Sequence, residues 1–548
     1  MSDDLTPEPV APEPNVGGQM TLFAVIVSAF LFVRKFAGMI KEILLSHFFG
    51  ASAATDIFKA IYNGIIYNLY SDAEQLLRPT YLPEFVKQRE ADEPLAWRLT
   101  GTITGLTMAA VGLVCVALMV FARPLLWAIW PDMAANPQTL ELGVLLLWIM
   151  APALFIYTLS LIPELTLHAY KRFSLAAFAE ASYNVLVMAV IFVGVEFVWH
   201  PDHPHAILAA GYGVLVGGIA RLGIMLPGLW SKLGQVRLSL NVRGTPGVTA
   251  MLALMPAVVM GLSVSMARPI VDARVCARLG EGMYTALDYG RRLSDAGIMI
   301  LPLAISLVVF PYVSEWAVAG DRRRLSRSLL GMTRALAFLF VPLSVGLILL
   351  ARPLCDLIYN HGEFKAASLP QVSLALMCYA SGLFAYSVEG SINKWYFAMK
   401  DTWTPNWVGT IWALVHLTMS VVGGLYTPLG LAAVALAYPV SKTGKVITLY
   451  YLLRPRLERV PASEVWPFVV KLLVASAVMG AVVWGVGGYV APALQAQTHG
   501  KWRLMGLLVS TGGAGAVVFL IAAALLRIEE VGQVWRWLAG KVRRRLGR

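Results

Sequence analysis

The chain of 548 residues is 58% hydrophobic and only 14% charged, with a mean hydropathy of +0.68. Soluble domains carry about 25% charged residues, so the composition excludes a soluble globular protein and points to an all-α integral membrane protein. The formal net charge of +12 does not call for nucleic acid. Most of the surplus sits in short loops and the C-terminal tail, where membrane topology alone explains it.

In chain order, residues 1–19 are acidic and Pro-rich with no basic n-region, which reads as a disordered cytoplasmic tail and not a signal peptide. A helix needs about 20 apolar residues to cross the hydrocarbon. Hydropathy broken at Gly, Pro and charge clusters predicts about fourteen such helices. Their approximate spans are 20–47, 54–80, 101–122, 138–161, 174–197, 206–229, 248–268, 283–312, 328–350, 368–398, 405–425, 428–450, 464–490 and 503–526. Alternate loops carry Lys87, Arg89 and Arg98, then Lys171 and Arg172, then Lys232, Arg237 and Arg243, then Arg322, Arg323, Arg324 and Arg327. That bias puts both termini in the cytoplasm.

The expected organisation is an N-terminal lobe of helices 1–6 (20–230), a cytoplasmic linker (231–247), and a C-terminal lobe of helices 7–12 (248–453). A last helical pair (454–526) and a basic cytoplasmic tail (527–548) follow. A faint internal repeat supports two related lobes. Glu42, Gly50 and Thr55 align with Asp272, Gly280 and Thr285 at one constant offset. Two pseudo-symmetric lobes facing a midplane site are a common transporter arrangement.

The charges inside these apolar segments say most about function. Arg34, Lys35 and Lys41 lie within the first; Asp56, Lys59, Asp72, Glu74 and Arg78 lie in the second. Arg268, Asp272, Arg274, Arg291, Arg292 and Asp295 recur near mid-chain. A charge at mid-bilayer depth costs about 2.5–3.5 kcal/mol, so such residues face a watery cavity, an ion partner or a ligand. A cationic interior suits an anion, with Arg offering a bidentate fork to phosphate and Lys a compact point charge.

Plainer roles stand beside that reading. Arg34 could snorkel or pair with Glu42, and Asp56 could cap its own helix. Arg291 and Arg292 point about 100° apart on a helix, so one could line a cavity while the other pairs with Asp288 or Asp295. Glu389 and Lys394 read as structural, WHPDHPH (199–205) as a solvated turn, and Asp401–Pro405 as a capped turn into a helix. The four cysteines (Cys115, Cys276, Cys355, Cys378) are widely spaced and expected to be free. No HExxH, Walker A, GxSxG or paired Cys/His spacing occurs, and the outer loops are too short to house catalytic groups.

Three stretches are similar to the MurJ/MviN family, the lipid II flippases of the multidrug/oligosaccharidyl-lipid/polysaccharide exporter superfamily. They are RKFAGMIKEILLSHFFGASAATDIF (34–58), YGRRLSD (289–295), and 358–405 with IYNHGEF, CYASGLFAYS and WYFAMKDTWTP. The resemblance implies a flippase that moves lipid II from the inner to the outer leaflet of a bacterial plasma membrane by alternating access. It matches Lys35, Lys41 and Arg292 to the family's basic cavity positions, with Arg78 and Arg34 as further candidates. Asp56, Thr285, Asp295 and Glu42 are the supporting polar and acidic residues. The implied partners are lipid II and membrane lipids, with cell-wall synthesis proteins a further candidate, for a chain acting as a monomer without a metal or other cofactor.

The chain departs from the pattern in two places. Lys35 and Lys41 stand where the family shows Arg, and Leu69 and Tyr70 stand where it shows an Arg pair, which leaves another polyprenyl-diphosphate-linked glycan open as cargo. The eleventh helix has no acidic residue, so no sodium site transfers, and coupling to the membrane potential or to a cation stays open.

Overall fold

The computed structural model describes residues 36–200, 203–296, 301–497 and 501–532, and these are helical throughout apart from short connections. Helix α1 covers 36–49. Helix α2 is a continuous rod of Ala53–Ile61, a π-helical turn at Tyr62–Ile66, and Tyr67–Ala91. Then come α3 (Glu93–Val120), α4 (Pro137–Leu159, running on through Leu161–Ala169), α5 (Phe173–Val193) and α6 (Leu208–Met225). The second set is α7 (Val248–Leu279), α8 (Met283–Ala296), α9 (Leu301–Val318), α10 (Arg322–Leu349), α11 (Leu369–Ala380), α12 (Leu383–Ala398), α13 (Trp403–Thr418) and α14 (Leu431–Leu453). Helices α15 (Ala462–Gln497) and α16 (Lys501–Leu525) form the last pair.

Among the described residues, eight helices are long and apolar enough to cross a membrane, or nine when the pair ending in α11 and α12, bent by 43°, counts as one span. Helix α2 is not among them, because polar and charged residues recur along it. Arg34, Lys35, the N-terminal tail and most of the basic C-terminal tail lie outside the described residues.

Two boundaries differ from expectation for a common reason. Helix α2 continues to Ala91 and α3 starts at Glu93, where the hydropathy breaks fell at 80 and 101. Past the apolar stretch, Tyr81 and Phe85 share a face of α2 and are fully buried, as is Trp97 near the start of α3. The Phe85 and Trp97 rings meet edge-on at 5.8 Å, and Trp97 stacks on Tyr170 at 6.3 Å. A helix is stabilised by a packed amphipathic face as readily as by lipid. Helix α7 likewise runs to Leu279, which places Arg268, Asp272 and Arg274 inside it.

The aligned windows of the repeat share a helix–glycine–helix outline. Helices α1 and α7 each end in a glycine with positive φ, Gly50 at +58° and Gly280 at +138°, and the next helix starts at Ala53 or Met283. Those φ values are open to glycine and costly for other residues. Helices α15 and α16 pack against α10 through Phe468, Leu472, Ala475, Met479, Phe519 and Ala337. At Gly515 the small face is used for close approach, since a Cβ there would press on Val483. All four cysteines are free and buried.

The turn at Asp401 is capped as its sequence suggests. Asp401 accepts from the Thr404 backbone N–H at 3.0 Å and from its hydroxyl at 2.8 Å, and Arg456 sits 2.7 Å away. Partial burial pushes the Asp401 carboxyl up, but the Thr404 hydrogen bonds and Arg456 outweigh it and hold it below the ordinary carboxylate range. Asp401→Ala should therefore cost about 1 kcal/mol, read by thermal unfolding of the purified protein. Because the folded-state value is depressed, this contribution is present at neutral pH and is lost as pH falls through that value. Equal loss at every pH would show that the charge plays no part.

Candidate functional site

The charged centre is built where α1, α2 and α8 converge. Glu42 on α1, Lys59 on α2 and Asp288 on α8 are 2%, 2% and 9% exposed. The Lys59 ammonium donates to Glu42 at 3.0 Å and to Asp288 at 2.5 Å, and its Nζ lies 3.8 Å from the centre of the Tyr289 ring. Arg292 reaches Asp288 at 2.8 Å and Glu42 at 3.2 Å. Lys41 completes the group, 3.6 Å from Glu42 and 5.2 Å from the Tyr62 ring centre. Asn63 donates to Asp288 at 3.2 Å and accepts from Arg292 at 3.3 Å.

Lys59 and Asn63 share a face of α2, as do Asp288 and Arg292 of α8, because residues four apart are neighbours on a helix. The π-helical turn at Tyr62–Ile66 adjoins this face, and such bulges are frequent at functional sites. Three cations thus meet two carboxylates, leaving one positive charge over. The void they surround, lined also by Phe58, Val187 and Ile191, is only about 10 Å³, about one water molecule in size. The halves are closed upon the site in this conformation.

Beyond it, towards the end of the bundle where α1 and α7 finish, the halves are locked. Asp56, expected either to cap its own helix or to face the cavity, does neither. Ser52 caps α2, accepting from the Thr55 N–H at 3.3 Å. Asp56 instead accepts from the Gly282 N–H at 2.7 Å, the Thr285 N–H at 2.8 Å and the Thr285 hydroxyl at 2.5 Å, capping α8 of the other half. Reciprocally, Glu281 accepts from the Ala53 N–H at 3.1 Å at the start of α2. Helix N-termini have unpartnered N–H groups that a carboxylate satisfies well. The Glu363 N–H donates to the His47 carbonyl at 2.8 Å, and Ser46 donates to the Tyr359 carbonyl at 3.2 Å. Gly50 and Gly362 sit so close to the Glu363 and His47 carbonyls that a Cβ on either would collide.

Arg78 is not part of the central group. It pairs with Glu74 at 2.6 Å and Glu164 at 3.0 Å. Glu164 in turn binds Arg221 of α6 at 2.5 Å, and Arg221 also holds Glu180 at 2.7 Å and donates to Ser160. Tyr70, where the family pattern carries Arg, hydrogen-bonds Arg221 at 3.2 Å. A guanidinium thus reaches this level of the bundle from a different helix.

Asp295 lies 3.6 Å from Arg291. In the second half, Glu389 pairs with Lys442 at 2.5 Å and Lys445 at 2.7 Å, whereas Lys394 lies over the Phe310 ring at 5.4 Å. Asp272, the repeat counterpart of Glu42, accepts from Ser420 at 2.7 Å and lies 3.2 Å from His416, beside a π-helical turn at Met419–Gly423.

Of the expected site residues the structure brings together Lys41, Glu42 and Arg292, sets Asp56 and Thr285 at the adjoining lock, and holds Arg78 and Asp295 elsewhere. Lys59, Asn63, Asp288 and Arg221 were not assigned to a site from sequence. The signal for Lys59 was a lone lysine in the apolar run TDIFKAIYNGII; for Asp288, its four-residue spacing from Arg292.

A family model described as "Lipid II flippase MurJ" matches residues 45–499. The chain is 27% identical over 500 residues to the lipid II flippase MurJ of Burkholderia cenocepacia, covering 89% of this chain and 94% of that one. It is 25% identical over 538 residues to the probable lipid II flippase MurJ of Vibrio cholerae, covering 94% and 98%. Among solved structures it superposes on a lipid II flippase MurJ in an inward closed conformation with a TM-score of 0.71, at 20% identity and covering 91% and 98%. An inward-facing MATE family multidrug transporter of the MOP superfamily gives a TM-score of 0.64 at 13% identity, covering 77% and 94%.

Proposed function

Because the chain belongs to the MurJ family of lipid II flippases, we propose that it moves lipid II from the inner to the outer leaflet of the bacterial inner membrane by alternating access, as a transporter and not an enzyme. The observation that carries the mechanism is the cluster of Lys41, Lys59 and Arg292 held by Glu42 and Asp288 at the meeting of the two halves.

In the closed conformation the two carboxylates pair with the cations across the interface. Separating the halves breaks the cross-half pairs of Lys59 with Asp288 and of Arg292 with Glu42, and the released cations receive the cargo's diphosphate. The exchange is between anions, so no charge is left bare at depth. Arg292 gives the diphosphate a fork and the lysines give it point charges.

With both termini cytoplasmic, the lock around Asp56 and Thr285 closes the outer end and the cavity opens inward first. Coupling to the membrane potential or to a cation is part of this reading. An inside-negative potential is worth about 2.3 kcal/mol per charge per 100 mV; it favours outward movement of the anionic head and returns the cationic site. Asp272 with His416 and Ser420 is the buried titratable group that a coupling cation would meet.

The test is complementation. A host depleted of its lipid II flippase should be rescued by this chain, and Lys41→Ala and Arg292→Ala should each abolish the rescue at unchanged membrane levels. Rescue surviving both substitutions would overturn the site. Failure of the parent chain, with protein present, would favour another polyprenyl-diphosphate-linked glycan, the reading to which Tyr70 in place of Arg lends support.

A further inference from the structure

The second half carries more positive charge than its own carboxylates answer. Arg268 of α7, Arg291 of α8 and Lys442 of α14 gather near Tyr438, with Lys445 of α14 joined to them through Glu389. The Arg291 guanidinium lies 5.0 Å and the Lys442 ammonium 5.3 Å from that ring centre, and Lys442 is also 5.5 Å from the Tyr386 ring. Glu389 joins Lys442 to Lys445. Arg268 is within electrostatic reach of Tyr438, Glu389, Asp272 and Arg291, and its Nε is buried with no hydrogen-bond acceptor among the described residues.

Four cations face three carboxylates, Glu389, Asp295 and Asp272, the last shared with His416 and Ser420, which leaves one positive charge over. Tyrosine faces orient cations through their quadrupoles but do not neutralise them. Interior charges are paired or hold a ligand. The group is also reachable, since the Arg291 side chain keeps 42% of its surface, and those of Lys442 and Lys445 keep 14% and 15%.

We propose that Arg268, Arg291, Lys442 and Lys445 form a second anion subsite that takes a carboxylate of the peptide on the cargo's head group. This rests on the reading of the chain as a lipid II flippase. Arg291 precedes Arg292 by one residue and is set about 100° away by helix rotation, so one helix presents one guanidinium to each subsite. A ligand with a diphosphate near its lipid and carboxylates further along its head matches that order. Arg forks suit a carboxylate as they suit a phosphate, and the net positive charge here is free of the cross-half pairing that occupies Arg292. The subsite thus discriminates between heads after the diphosphate has been recognised.

The experiment compares binding of the purified full-length chain to three probes: lipid II with free peptide carboxylates, the same lipid with those carboxylates amidated, and undecaprenyl diphosphate. The parent chain should bind the free-carboxylate lipid about 10- to 100-fold more tightly than the amidated one, the range of one or two charge-assisted hydrogen bonds. The variant Glu389→Gln/Lys442→Gln/Lys445→Gln, which removes the carboxylate together with both of its lysine partners, should lose that preference and keep its affinity for undecaprenyl diphosphate. Arg291→Gln, which leaves Glu389 paired, should do the same and serves where the triple variant does not fold. A parent chain indifferent to amidation, or variants that keep the preference or lose all three probes alike, would overturn the subsite and leave the flippase reading intact. A parent chain that binds none of the probes overturns both.

Discussion

Lys59→Met should destabilise the protein by about 3–5 kcal/mol and abolish transport, because removing one partner of a buried ionic network leaves the others uncompensated. Lys59 is 2% exposed and bridges the two halves, at 3.0 Å from Glu42 and 2.5 Å from Asp288. Methionine matches its length and fills the space, so the loss is of charge and hydrogen bonds and not of packing. Without it, two carboxylates at depth depend on Arg292 and the more distant Lys41. Thermal unfolding of the purified variant and complementation at matched expression read the two effects separately. Lys59→Met/Asp288→Asn restores the charge balance and should recover most of the stability but not transport, since the diphosphate still lacks one of its cations. A single variant as stable as the parent would show that the cluster is already loosened by water.

Asp56→Ala should open the lock. Its carboxylate takes three hydrogen bonds from the first turn of α8, and hydrogen bonds to charged groups contribute about 1.5–3 kcal/mol each. Some are replaced by water once the halves part, so a shift of about 3 kcal/mol is expected, roughly a hundredfold in the equilibrium between closed and open. Spin labels at the exposed positions Ala135 and Lys365, at this end of opposite halves, should report a new population at longer distance. Asp56→Asn, which keeps an acceptor, should shift it less. An unchanged distance distribution in Asp56→Ala would mean that the loop carrying Gly362 and Glu363 holds the end shut alone.

The helical class and the membrane setting were legible because apolar length is read one segment at a time. Lys41, Glu42 and Arg292 were legible for a similar reason, since a charge in an apolar run is conspicuous. Pairing was not. Arg78 looked like a replacement for the missing basic position, yet it belongs with Glu164, 86 residues away in sequence. The partner of Arg221 at that level, Tyr70, looked like a loss of charge. Asp56 carried every local mark of a cap, and it is one, but for a helix that starts more than two hundred residues later. Local pattern sets which groups need partners; only the tertiary fold decides which they receive.

The exchange of caps between α2 and α8 has a consequence for biogenesis. When the first six helices have been made, Asp56 is already present, but the amides of Gly282 and Thr285 that receive it are not yet synthesised. Lys59 can find Glu42 early, 17 residues behind it, whereas Asp56 must wait for the seventh and eighth helices to arrive. The early half is therefore a polar, unfinished surface during translation, and the arrival of α8 both completes it and fixes the orientation of the late half against it. Closure of this end of the bundle therefore comes only with α8, after Lys59 has met its first partner.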